Sequence, residues 1–204
     1  MGKTSKKQHR RHSRPAKLAA PVESVRPGGA KPHGPLVNDL VHVFVDDQNL
    51  FWGIVNNEGS ISFRIDFGRL LLAAARKANG QARGVKTAYI AGVIPDDDTF
   101  WEVAKSQGFT VRRGYLGMNN RSKQDDAYLI TDLVTTLYEE QGPSTIVIVA
   151  GDADYLPPLQ QALVKGWRTE VAFISRGLST GLSPVAHEFR RITASDIELF
   201  RDVP

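Results

Sequence analysis

Short apolar runs alternate with helix-forming segments along most of the chain, and this alternation limits the folds open to it. The runs with the length and β-branched content of buried strands are residues 40–45, 85–93, 109–116, 145–150 and 169–174. Strands that alternate with helices form a parallel sheet that is covered by helices on both faces. The sequence therefore predicts an α/β fold with three layers.

The segments between the strands have helical character. Acidic starts, apolar stripes and glycine stops predict helices over residues 67–78, 96–108, 125–140 and 159–166, and a last short helix near residues 182–189. If the strand order is 3-2-1-4-5, the first and fourth strands are neighbours at the point where the order reverses. Ligands of such sheets bind there, outside the carboxyl ends of the strands.

The first 38 residues differ in composition from the rest of the chain. They carry nine Lys or Arg against the single acid Glu23, a net charge of +8, and since the whole chain is +4, residues 39–204 carry −4. The segment is also rich in proline and has little to bury, so we expect residues 1–38 to be a disordered basic tail and residues 39–204 to be one domain. The tail either keeps the protein soluble or binds phosphates.

Composition excludes several functional classes. The chain has no cysteine, which rules out disulfides, thiolate zinc sites and cysteine nucleophiles. No apolar run approaches the ~20 residues of a membrane helix, and the basic start lacks the apolar segment of a secretory signal. We therefore expect a cytoplasmic protein without membrane contact.

Acidic residues collect where the predicted strands end. Asp46, Asp47 and Asn49 follow the first strand, and Asp152 and Asp154 follow the fourth. Carboxylates placed so close together repel one another, and a divalent cation relieves that repulsion.

A third group of acids begins the long helix between these strands. Asp125 and Asp126 could simply complement the helix dipole, but that explains acids at only one of the three places. Asp132 lies about 240° round the helix from Asp126, so these two side chains cannot share a face. A cluster of oxygen ligands without Cys or paired His suits Mg²⁺ or Mn²⁺.

Three segments, "VFVDDQNLF", "KQDDAYLITDL" and "VAGDADYLPPL" with the following "KGWRTEV", resemble the signature segments of the NYN domain family. This family belongs to the PIN-like nucleases and is similar to the LabA-like group. The resemblance implies a Rossmann-like fold and a metal-dependent ribonuclease acting on RNA. Its catalytic residues would be Asp46, Asn49, Asp126, Asp152 and Asp154.

The resemblance also implies roles within this set. Asp46 and Asp152 would contact the metal, and Asp126 and Asp154 would complete the site directly or through water. Asn49 would hydrogen-bond a carboxylate or the substrate. Asp47, Asp125 and Asp132 would lie behind these ligands.

Basic and aromatic side chains near the acids are candidate RNA contacts. The basic ones are Arg112, Arg113, Arg121, Lys123 and Arg176. Phe51 and Trp52 could stack on bases of a single strand. Their helical spacing next to Leu50 and Ile54 favours a place in the core instead.

Two alternatives to a nuclease remain. A haloacid-dehalogenase-like phosphatase also has an aspartate after its first strand, but it needs a second aspartate where this chain has Gln48. An RNA- or protein-binding regulatory module of the same fold, with weak or no catalysis, would keep the same acids. An oligomer is compatible with either reading.

Overall fold

The computed structural model describes residues 34–58, 65–93, 99–116, 122–174 and 179–197. In these ranges one sheet has the strand order β4-β3-β2-β1-β5-β6-β7. The strands are β1 (Val41–Asp46), β2 (Val85–Val93), β3 (Thr110–Leu116), β4 (Ser122–Lys123), β5 (Thr145–Val149), β6 (Arg168–Ile174) and β7 (Glu188–Ile192). All neighbours are parallel except the two-residue β4, which runs antiparallel to β3.

Helices cover both faces of this sheet. They are α1 (Asp47–Glu58), α2 (Phe67–Ala75), α3 (Thr99–Ser106), α4 (Asp125–Glu139), α5 (Leu156–Val164) and the short α6 (Ala194–Ile197). One core cluster packs α1, α2, α3 and α6 on the sheet, and a second packs α4 and α5 on the opposite face. The predicted three-layer α/β fold is therefore confirmed. The five predicted strands also have the expected order, and the sheet gains β4 and β7 at its two edges.

The ends of α2 show how local sequence sets a boundary. The Asp66 side chain accepts a hydrogen bond from the Arg69 amide at 2.9 Å, which satisfies one of the free N–H groups of the first turn. The helix ends at Ala75, three residues earlier than predicted, because Arg76 is extended and a turn follows. Gly80 in that turn has φ +84°, a conformation that favours glycine.

The predicted last helix over residues 182–189 is wrong. The chain instead forms a 3-10 helix over Thr180–Val185 and then the strand β7. Pro184 lies inside the 3-10 helix, and Ala186 is already extended. The strand is stabilised by its neighbour, because the Arg168 side chain of β6 bonds Glu188 at 2.7 Å. Pairing with β6 therefore outweighs the local helical pattern.

None of the helices within the described ranges has the length and apolar character needed to cross a bilayer. Residues 1–33 of the predicted tail lie outside the described residues. The following stretch is attached to the domain: the Val37 amide donates to the Pro143 carbonyl at 2.9 Å.

The central strand β1 is buried along its whole length. Even His42 is inaccessible to solvent; its Nδ1 lies 2.9 Å from Thr87 Oγ1, and its ring meets Trp167 edge-on at 5.4 Å. Burial lowers the pKa of His42 to about 4, with a further lowering by Lys86 and an opposing effect of Glu140. His42 is therefore a neutral core residue at pH 7.

This burial predicts a pH-dependent stability. In the unfolded chain His42 binds a proton near pH 6.5, but in the folded protein only near pH 4. The stability that depends on neutral His42 is thus fully present above pH 6.5 and is lost as the pH falls. We expect the free energy of unfolding to decrease by about 2 kcal/mol between pH 7 and pH 5 from this group. Urea unfolding at both pH values should show a smaller loss for His42→Leu than for the wild type. Equal losses in the two proteins would contradict the assignment.

A buried group of charges joins β6 and β7 to α2. Arg83 Nη2 lies 2.6 Å from Glu170 Oε2, and Arg168 and Arg190 also donate to the Glu170 carboxylate, at 2.7 and 2.9 Å. Burial opposes the charge of Glu170, but hydrogen bonds from Arg83 and Arg168 outweigh it and hold its pKa below the usual value. Arg83 and Arg190 also donate to carbonyls of α2. This group therefore anchors the end of α2 to the sheet.

Removing the charge of Glu170 should destabilise the protein strongly. Glu170→Gln keeps the size of the side chain but leaves the buried Arg83 without its counter-charge and leaves Arg190 with Glu188 alone, and we expect a loss of about 3 kcal/mol or more. The matched control is Glu102→Gln, which removes the exposed ion pair with Lys105 and should cost less than about 1 kcal/mol. Chemical denaturation measures both, and similar losses would show that the buried network contributes little.

Candidate active site

Asp46 ends β1 and is the buried member of the acidic group. It is 5% exposed, and its Oδ1 accepts a hydrogen bond from the Asn49 amide at 2.9 Å. Its Oδ2 accepts one from the Tyr155 hydroxyl at 3.1 Å. Burial, together with the charges of Asp126 and Asp125, raises the pKa of Asp46 to about 7, and these two hydrogen bonds oppose the shift.

Tyr155 connects Asp46 to Asp126. It is fully buried in the 3-10 helix Ala153–Tyr155, and its hydroxyl also lies 3.5 Å from Asp126 Oδ1. A phenol has one proton to donate, so the shorter contact marks Asp46 as the acceptor. Burial and the charges of Asp46 and Asp126 raise the pKa of Tyr155, which therefore stays protonated. Tyr155 was not among the predicted site residues, although it follows the acid pair directly in sequence.

Asp126, Asp152 and Asp154 form the exposed side of the same group. The pKa of Asp126 is raised by burial first and then by the charges of Asp125, Asp152 and Asp154. Asp152 Oδ1 also accepts from the Asp154 amide at 3.1 Å and so begins the 3-10 helix. The structure thus brings together acids from the ends of β1 and β5 and from the start of α4. Their roles as metal ligands and catalytic groups remain predictions.

Asp47 and Asp125 lie behind these carboxylates. Burial, together with the charges of Asp46 and Asp125, raises the pKa of Asp47 to about 7. Asp47 packs on β2 so closely that a Cβ atom at Gly92 would come within 2.8 Å of the Asp47 Cβ. Asp125 is 3% exposed as the first residue of α4. Both therefore add negative charge close to Asp46.

The residue before α4 has an unusual backbone. Gln124 has φ +70°, the left-handed region, and makes no capping hydrogen bond with its side chain. Such a conformation costs a non-glycine residue roughly 1–3 kcal/mol and is found most often at functional sites. Here it directly precedes Asp125 and Asp126.

Asp132 lies apart from the cluster. It is bound by Arg112, whose Nε and Nη2 each lie 2.7 Å from a carboxylate oxygen. Arg112 also stands over the Tyr89 ring at 5.9 Å. Arg112, a predicted RNA contact, is therefore paired with Asp132, which the sequence predicts to lie behind the metal ligands.

The other predicted RNA contacts are only partly described. Arg113 is exposed on β3. Arg121, the side chain of Lys123 and Arg176 lie outside the described residues. Their contact with RNA stays a prediction.

Asn49 joins α1 to the segment after β5. Its side-chain Oδ1 accepts a hydrogen bond from the buried Gly151 amide at 2.8 Å, while the backbone amide of Asn49 donates to Asp46 Oδ1. The side chain therefore holds the two halves of the acidic group at a fixed separation.

Removing this side chain should be costly. Asn49→Ala leaves the Gly151 amide without a partner, and we expect a loss of about 1–3 kcal/mol of stability. Asn56→Ala, on the exposed part of the same helix, should change the stability by less than about 0.5 kcal/mol. Thermal unfolding of the two variants makes the comparison, and an equal effect would mean that the Gly151 contact contributes nothing.

The donor set fits a hard cation, although the side chains do not form a closed cage. Within the described residues, no three acidic or histidine side chains lie close enough together to hold one metal ion. Mg²⁺, however, binds through one or two carboxylates and completes its shell with water and substrate phosphate. Asp46 and Asp126, which contact the same hydroxyl, are the pair best placed to hold it.

Comparison with known proteins identifies the family. The model of the NYN domain matches residues 40–193. The chain belongs to the NYN domain family. This confirms the resemblance found in the sequence, and NYN domains are PIN-like nucleases.

A solved structure supports the fold alone. A crystal structure of a protein of unknown function from Vibrio parahaemolyticus is similar to this NYN domain, with a TM-score of 0.61 and 18% identity. The match covers 79% of this chain and 96% of that chain. No curated protein is significantly similar to the chain.

Proposed function

We propose that this NYN domain is a metal-dependent ribonuclease that hydrolyses RNA phosphodiester bonds at the acidic group. The observation that carries the proposal is the meeting of Asp46 and Asp126 at the Tyr155 hydroxyl. The charges of Asp152 and Asp154 also act on Asp126. This group lies at the carboxyl ends of β1 and β5, where the strand order reverses and ligands of such sheets bind.

The residues of the chain divide the work in this proposal. Asp46 and Asp126 would hold Mg²⁺ or Mn²⁺, and the ion would supply a bound water of lowered pKa and positive charge for the phosphate. Asp152 and Asp154 would complete the site directly or through water. Tyr155 and Asn49 orient Asp46 through the hydrogen bonds to its two oxygens.

The stored repulsion of the acids supports this role. Several carboxylates with raised pKa values at one place are typical of functional sites, whereas a buried acid with a structural role is paired with a cation. A bound cation would remove the repulsion among them.

RNA must also be attracted to a negatively charged domain. The tail has a net charge of +8, whereas residues 39–204 have a net charge of −4. We propose that it contributes affinity for RNA without a part in the chemistry.

Incubation of the full-length protein with labelled single-stranded and structured RNA tests the function. We expect cleavage with Mn²⁺ or Mg²⁺ and none with EDTA. Asp126→Asn should slow cleavage at least about 100-fold, since several kcal/mol of charge stabilisation depend on the ion. Calorimetry should show weaker Mn²⁺ binding by the same variant.

The control is Glu102→Gln, an exposed acid on α3, which should leave both cleavage and Mn²⁺ binding unchanged. Absence of cleavage with every ion would favour the binding-module alternative. Cleavage that persists in EDTA would exclude the metal-dependent mechanism. The phosphatase alternative loses support because the chain belongs to the NYN family.

A further inference from the structure

An exposed tryptophan distinguishes α1 from the other helices. Trp52 is 55% exposed, whereas Trp101 and Trp167 are 3% and 2% exposed. The sequence favoured a core position for Phe51 and Trp52. The structure instead buries their neighbours Leu50 and Ile54 and leaves the Trp52 ring in solvent.

The course of α1 places the backbone of Trp52 along the edge of the sheet that carries the acids. The helix begins at Asp47, next to Gly92 near the end of β2. At Gly53 it reaches Ile174, the last residue of β6. Its first two turns therefore run along the carboxyl ends of the strands. Trp52 follows Asn49 by three residues, which is about 4.5 Å along the axis and about 60° round it.

A second aromatic ring supports Trp52. Phe51 is half-buried and meets Trp52 edge-on, with ring centroids 5.2 Å apart and an angle of 87° between the planes. Edge-on packing is a favourable aromatic geometry and leaves a face of the indole available. The pair is a supported aromatic surface on the helix that also carries Asp47 and Asn49.

We propose that Trp52 is a base-stacking residue that holds a nucleobase of single-stranded RNA beside the phosphate at the acidic group. This inference rests on the proposed function. Every base has a π-face, so stacking attracts RNA whatever the charge of the site. It therefore supplies affinity at the place where the acids repel phosphate. A single exposed aromatic residue is common on protein surfaces, and what carries the inference here is its position beside Asn49 and its support by Phe51.

Fluorescence isolates Trp52 because the other two tryptophans are buried. In the full-length protein, acrylamide should quench a component that is absent in Trp52→Phe. Oligo(A) and oligo(U) RNA should quench the same component, with stronger quenching by oligo(A), whose bases stack better. Asp126→Asn as the background, with Mg²⁺ present, prevents loss of the RNA.

Binding measurements separate stacking from charge. Trp52→Ala should weaken binding of short single-stranded RNA at least about fivefold, since a stacked base contributes one to several kcal/mol. The dependence of binding on salt should keep its slope, because no phosphate contact is lost. Trp52→Phe should restore most of the affinity. Leu72→Ala, which shortens an exposed apolar side chain on α2 (67% exposed), should bind as the wild type.

Each outcome supports or overturns the proposal. In the cleaving protein, Trp52→Ala should raise KM more than it lowers kcat. Unchanged RNA affinity in Trp52→Ala, with cleavage intact, overturns the stacking role and leaves the nuclease proposal in place. Unchanged affinity with altered sedimentation of the variant would assign Trp52 to a protein contact. Failure of every variant and the wild type to bind RNA overturns both proposals.

Discussion

The complete burial of β1 is the constraint on which the rest of the structure depends. The strand lies between β2 and β5, and all six of its residues are buried away from solvent. Apolar residues accept this without cost, but His42 must remain neutral and Asp46 must find hydrogen-bond donors. The strand therefore carries its polar group at its carboxyl end, where donors from α1 and from the segment after β5 can reach it.

Those donors turn three separate chain segments into one site. Asn49 bonds both Asp46 and Gly151, and Tyr155 reaches from the end of β5 to Asp46 and Asp126. The Asn49–Gly151 and Tyr155–Asp46 contacts cross 102 and 109 residues of sequence, and the Tyr155–Asp126 contact crosses 29. Positions of the acids are thus set by uncharged groups, so they can stay close together without a permanent counter-charge. Charge and position are controlled by different residues.

Sequence patterns predict features that depend on local order, and they fail where distant partners decide. The alternation of strands and helices, and the acids at the strand ends, are local features, and the fold followed from them. The local sequence pattern predicts a helix that runs into β7, whereas the strand forms because it pairs with β6. The Arg112–Asp132 pair and the hydroxyl of Tyr155 at Asp46 also depend on contacts between distant segments. Periodicity carries no information about such contacts.

Glu170 and Asp46 are both buried acids, but the charges that surround them have opposite signs, and that difference bears on function. Around Glu170 three arginines hold the pKa of the carboxyl below its usual value, so its charge strengthens the fold. Around Asp46, burial raises the pKa values of Asp46, Asp47 and Asp126, and the neighbouring charges, which are carboxylates, add to this shift, so the charge of these acids weakens the fold. The same chain can therefore neutralise a buried acid with arginine. At the end of β1 it collects acids instead, an arrangement that lowers stability and that a bound cation would reverse. An exposed aromatic surface on the adjoining helix fits this electrostatic setting, because an uncharged contact can hold RNA without neutralising the acids that the metal needs.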